Sequence, residues 1–148
     1  MIKKLKWFPW RIYNFFNLNI NGVGVVVIKD YRVLLIKKKL GIVMGWQIPG
    51  GGLKGDKDIE EVANEELYEE TGIVVSELES LMTKNFFDVH NVVTFYLGHN
   101  IVGSTVPKVH DSIEIAEAKW IPVDEAMEML IKEHKPVLAK AMEKLDVF

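Results

Sequence analysis

Residues 50–73 read Gly-Gly-Gly-Leu-Lys-Gly-Asp-Lys-Asp-Ile-Glu-Glu-Val-Ala-Asn-Glu-Glu-Leu-Tyr-Glu-Glu-Thr-Gly-Ile, a glycine-rich loop that runs into an amphipathic helix. On a helix that advances about 100° per residue, Ile59, Val62, Ala63 and Leu67 share one face. Glu66 and Glu70 project from the middle of that face, and Glu69 sits on its flank. A carboxylate buried without a partner is costly and tends to neutralise itself. Three acids this close also repel one another, and a divalent cation resolves that conflict.

The same residues resemble the MutT/Nudix hydrolase family, whose signature is Gly-x5-Glu-x7-Arg-Glu-(apolar)-x-Glu-Glu-x-Gly-(apolar). Aligned without gaps, the pattern falls on Gly51, Lys57, Glu65, Glu66, Leu67, Glu69, Glu70, Gly72 and Ile73, with Trp46, Pro49, Gly50 and Thr71 also family-like. Two positions depart from it: the loop glutamate is Lys57 and the helix arginine is Glu65. Both have reversed sign, so an ion pair of inverted polarity is one expectation. Drift in a domain that has lost activity is the other. The resemblance covers roughly residues 20–132 and implies an α/β/α sandwich with a central mixed β-sheet.

By the same resemblance, the expected chemistry is hydrolysis of a diphosphate bond in a nucleoside diphosphate linked to another group. Mg²⁺ or Mn²⁺ is the implied cofactor. Glu66, Glu69 and Glu70 form the implied metal-binding cluster, with the Gly50 carbonyl as a further ligand. Glu66 or a neighbour is also implied in water activation. Glu114, six residues before Trp120, matches a glutamate that reaches the metal site in some members; Glu117 competes with it, and a surface charge is the blander account of either. Hard cations prefer oxygen ligands, and this set offers only oxygens. A catalytically weakened nucleotide-binding or regulatory domain is the alternative reading.

Composition narrows the setting. A chain of 148 residues, 49% apolar and 26% charged, suits one domain with one substantial core. The formal charge of −3 gives no general reason to expect nucleic-acid binding, and RNA-end processing is correspondingly disfavoured. The absence of cysteine excludes disulfides and thiolate chemistry and fits a cytoplasmic protein. No apolar run is long enough to cross a bilayer.

Residues 1–18 form a separate basic, aromatic segment, with Lys3, Lys4, Lys6 and Arg11 among Trp7, Phe8, Trp10, Tyr13, Phe15 and Phe16. Packing over the domain is the plainer expectation for it, and peripheral contact with an anionic membrane is the alternative. Residues 19–148 are expected to form the single domain. Family members commonly self-associate, so a homodimer is an open expectation.

Along that domain, Gly22–Ile28 and Arg32–Lys38 read as strands joined at Asp30-Tyr31, followed by a short apolar stretch at Trp46–Ile48. Pro49 and three glycines read as a loop. Asp58 and Glu61 form a capping-box-like pattern at the helix start, and Gly72 is its C-terminal stop. Further strands are expected over 79–87, 91–99 and 114–121. Asp124 is expected to cap a helix to about Lys132, and Pro136 to open another ending near Leu145.

For substrate contacts, Lys37, Lys38 and Lys39 follow the second strand, where alternation lets only some of them face one pocket. Phe86, Phe87, Phe95 and Tyr96 could stack on a base, although strand aromatics are more often core. His90 and His110 stand without a surrounding motif. None of these residues identifies the nucleotide.

Overall fold

The computed structural model describes residues 21–41, 43–85 and 92–147. The N-terminal segment 1–18, and with it Phe86, Phe87 and His90, lies outside the described residues.

The strands are β1 (Gly22–Val26), β2 (Ile28–Lys29), β3 (Arg32–Lys38), β4 (Gly45–Gln47), β5 (Gly50–Gly52), β6 (Val74–Asn85), β7 (Val92–Val102) and β8 (Ile115–Pro122). The helices are α1 (Ile59–Thr71), α2 (Val123–Met129) and α3 (Lys135–Leu145), with a 3₁₀ turn at Lys132–His134 before the last. One mixed sheet has the order β5-β1-β7-β6, with β1 and β7 parallel. In the other, β3 pairs antiparallel with β2, β4 and β8. The stretch expected as one strand over Gly22–Ile28 therefore changes partners at Val27, whose carbonyl accepts the Leu34 N–H at 3.0 Å.

Strands buried on both faces alternate between two cores. Val23, Val25, Val27, Leu34 and Tyr96 pack with Val62, Ala63 and Leu67 of α1. Val26, Val33, Leu35, Phe95 and Leu97 pack on the opposite side with Ala126, Val137, Leu138 and Ala141 of α2 and α3. This is an α/β/α sandwich, and α3, which the resemblance left less constrained, closes one layer. Phe95 and Tyr96 are core residues, which removes them as base-stacking candidates.

Local differences have physical causes. The glycine run after Pro49 is a strand rather than a loop, because its register places Gly24 opposite Gly50 and Gly22 opposite Gly52. Small residues on both sides allow that close approach: a Cβ on Gly50 would lie 2.8 Å from the Gly24 Cα. Asp58 holds the N-cap position, but its side chain makes no capping hydrogen bond, so the expected capping box does not close. The second helix is capped at Pro122 rather than Asp124 and ends after Met129, where Leu130 turns extended. Its successor spans Lys135–Leu145 as expected. Asp30 and Tyr31, at φ 52° and 61°, make the tight turn between β2 and β3.

Candidate active site

The antiparallel ladder aims the loop backbone. Val25 N–H donates to the Pro49 carbonyl at 2.9 Å, which makes that residue pair a hydrogen-bonded one. In such a ladder hydrogen-bonded and non-bonded pairs alternate, so Gly50, opposite Gly24, turns its N–H and C=O away from β1. The freed N–H donates to Glu70 Oε1 at 2.7 Å. Glu70 is only 2% exposed. Burial, and next the charge of Glu66, push its carboxyl well above the usual range; Glu114 adds to this, while Lys38 and the Gly50 N–H oppose it.

Glu66 is also buried, with its carboxylate against Gly51. A Cβ on Gly51 would fall 2.7 Å from the Glu66 carboxyl carbon, so glycine is what lets the acid sit on the strand. Lys54 Nζ reaches Glu66 Oε1 at 2.8 Å. Glu69 lies exposed on the rim. Burial and then the Glu66 charge raise its carboxyl, helped by Asp111 and Glu65 and opposed by Lys54.

The far end of α1 brings in the distant acid. Helix C-termini leave carbonyls without intrahelical partners. Here Lys108 N–H donates to the Thr71 carbonyl at 2.8 Å, and His110 and Asp111 N–H donate to the Glu69 carbonyl at 2.9 and 2.8 Å. Gly72, at φ 71°, makes the left-handed stop that this requires, as a Cβ there would lie 2.8 Å from the Lys108 carbonyl oxygen. The capping segment then leads to Glu114, whose carbonyl accepts the Lys39 N–H at 2.9 Å, tying it to the end of β3. Glu114 is buried and Glu117 exposed, so of the two it is Glu114 that turns into the acidic cluster.

Alternation divides the lysines as expected. Lys37 lies 6.0 Å from the centre of the Trp46 ring, while the charge of Lys38 acts on Glu70. His110 is exposed and stacks on Tyr68 with ring centres 4.7 Å apart. Three participants were not singled out from the sequence: Lys54, Asp111 and His134. Lys54 lay within the quoted loop, three residues before Lys57. The other two carry no local signal, since their roles depend on partners distant in the chain.

The sign-reversed positions do meet. Lys57 Nζ lies 3.0 Å from both carboxylate oxygens of Glu65, an ion pair of inverted polarity. Both side chains are partly exposed, so the coupling should be about 0.5 kcal/mol. A double-mutant cycle with Lys57→Glu and Glu65→Arg tests this. The double variant should be more stable than the sum of the single losses, and strict additivity in urea melts would dismiss the coupling.

As they stand, no three His, Asp or Glu side chains among the described residues lie at a spacing that would hold a metal ion. The donor chemistry nevertheless fits a hard divalent cation. Glu66, Glu70 and Glu114 are oxygen donors, Glu70 lies in the field of the other two, and the cation now on Glu66 is Lys54.

A glycine strand feeding an acidic helix inside an α/β/α sandwich defines a class, and the known proteins agree on which. The NUDIX domain model matches residues 18–145. The chain belongs to the Nudix family. It is 27% identical over 117 residues to CMP-5'-(N-acetyl-N-hydroxy-3-aminopropyl)phosphonate hydrolase of Streptomyces rubellomurinus, covering 74% of this chain and 55% of that protein. It is 30% identical over 103 residues to mouse diphosphoinositol polyphosphate phosphohydrolase 3-alpha, covering 68% and 60%. The chain thus spans little more than half the length of these relatives.

Among solved structures, a MutT NUDIX hydrolase from Burkholderia pseudomallei superposes with a TM-score of 0.73 at 26% identity, covering 82% of this chain and 96% of that one. The NUDIX domain of Shewanella oneidensis NrtR, complexed with ADP ribose, superposes with a TM-score of 0.72 at 22% identity, covering 86% and 88%, a likeness of fold. Among the described residues no helix is long and apolar enough to cross a membrane.

Proposed function

We propose that the chain is a metal-dependent pyrophosphohydrolase that cleaves a diphosphate bond in a nucleoside diphosphate linked to another group. The substrate is a small soluble nucleotide (a nucleoside triphosphate, an oxidised nucleotide or an ADP-ribose-like compound), met in the cytoplasm. The observation that carries this reading is Glu70, buried at 2% exposure yet held against the Gly50 N–H in the field of Glu66 and Glu114. So many acids around a buried site are worth their cost only where positive charge arrives.

In this reading Glu66, Glu69, Glu70 and Glu114, with the Gly50 carbonyl, hold the cation. Mg²⁺ or Mn²⁺ there supplies the positive charge that offsets the diphosphate oxygens and steadies the leaving phosphate. The chain's own part is geometric. The β5–β1 ladder fixes Gly50, the helix phase fixes Glu66 and Glu70, and the capping segment 108–111 carries Glu114 to them. Glu66 or a neighbouring carboxylate would accept the proton of the attacking water.

The test is turnover of a nucleotide panel with Mg²⁺ or Mn²⁺, using Glu69→Gln as the matched control. Turnover in the wild type that falls at least about 100-fold in the variant supports the reading. A second reading, nucleotide binding without catalysis, is motivated by the reversed charges at Lys57 and Glu65. Tight nucleotide binding with no turnover across the panel would establish it instead.

A further inference from the structure

We propose that Lys54 is a tethered counterion that occupies Glu66 and competes with the divalent cation for the acidic face of α1. This rests on the metal reading above and adds a threshold to it. The Lys54 ammonium lies 2.8 Å from Glu66 Oε1, the carboxylate that faces Gly51 across the site. At that distance the lysine gives the site a cation of its own.

Two features make Lys54 a competitor that can be displaced. Its side chain is 45% exposed, so the amine can swing into water without stranding a buried charge. Its backbone, in contrast, is held. Lys57 N–H donates to the Lys54 carbonyl at 3.1 Å, closing a tight turn through Gly55 at φ 53°. Lys57 then grips both oxygens of Glu65, the residue next to Glu66 on α1. That turn, rather than the weak outer pair, keeps the inner lysine within reach of Glu66 after it lets go. Such tethering gives a high effective concentration without strong contact energy. A divalent ion on Glu66 would repel the ammonium at ion-pair distance, so each cation weakens the hold of the other and loading the metal favours release of Lys54.

The test is Mn²⁺ affinity without substrate, read from the electron paramagnetic resonance signal of free Mn²⁺. Lys54→Met should bind Mn²⁺ about tenfold more tightly than the wild type, and Lys54→Arg should stay near the wild-type value. Lys57→Met is the charge-matched control, since it removes the same charge from Glu65 rather than Glu66, and it should gain less. Equal gains in Lys54→Met and Lys57→Met, or no gain in either, would overturn the competition while leaving the metal site intact. Absence of Mn²⁺ binding in the wild type and every variant would overturn the metal reading and this inference together. Melting curves establish that each variant is folded, and Lys54→Gln replaces Lys54→Met if the latter is not.

Discussion

Glu70→Gln should lower metal-dependent turnover by about 1,000-fold, or about 4 kcal/mol of transition-state stabilisation, while leaving the protein at least as stable as before. The two halves of this expectation come from the same geometry. A glutamine Oε1 can accept the Gly50 N–H as the carboxylate does at 2.7 Å, so the strand and the helix keep their spacing. The lost feature is the charge. In the metal-free protein that charge is a liability, because burial and the neighbouring Glu66 raise the carboxyl well above the usual range.

A glutamate whose folded pKa is raised binds protons more readily folded than unfolded, so ionising it destabilises the fold as pH rises through that pKa. Replacing it removes this burden. With chelator present, thermal melts at neutral pH should therefore show Glu70→Gln equal to or above the wild type. With Mn²⁺ added, only the wild type should gain, since a ligand stabilises the state that binds it. Unchanged turnover would take Glu70 out of the site. A melting temperature several degrees lower in chelator would mark it as a structural acid instead.

His134→Ala should cost about 3–4 kcal/mol of stability, and the wild type should weaken in acid for the same reason. His134 is 8% exposed, and its Nδ1 accepts the buried Ile48 N–H at 3.0 Å. Its ring meets Phe95 edge-on, with centres 5.5 Å apart. Alanine would leave that N–H unsatisfied and open a cavity in the core. Ile48 lies two residues before Gly50, so the loosened segment is the one that presents the loop to Glu70. His134→Asn, whose side-chain oxygen can approach the Nδ1 position, should recover part of the loss.

Burial, followed by the nearby Lys38 and Lys84 charges, lowers the His134 pKa from 6.5 to about 4. A histidine depressed in the folded state is protonated first in the unfolded chain. Its contribution is therefore intact above about pH 6.5 and is lost progressively as pH falls towards about 4, with a total of about 3 kcal/mol. Urea melts at pH 7.5 and 4.5 check this. Carboxylates titrate in both proteins, so the comparison is with His134→Asn, which should show a smaller acid loss. Equal losses would separate His134 from the pH dependence.

Helical phase made much of the site legible before any fold was known. Val62, Ala63 and Leu67 had to face a core, so Glu66 and Glu70 had to enter it too, and their burial follows from spacing alone. The sign reversal at Lys57 and Glu65 was equally readable, because opposite charges that are swapped together can still meet. Gly72 announced the end of α1 for the reason glycine always can, its tolerance of a left-handed backbone.

Other features came into being only when distant segments met. The glycine run became a strand because β1 offered glycines opposite it, which no local propensity records. Glu114 reached the cluster because the capping segment 108–111 donates to the carbonyls of α1. The 3₁₀ turn carrying His134 came to rest 86 positions along the chain from Ile48, where a buried N–H needed an acceptor. The sequence by itself determined which side chains are compelled inward, since periodicity and polarity are local properties. Only the tertiary structure decided which backbone groups and counterions they find there, because a hydrogen bond or an ion pair needs both of its partners in place.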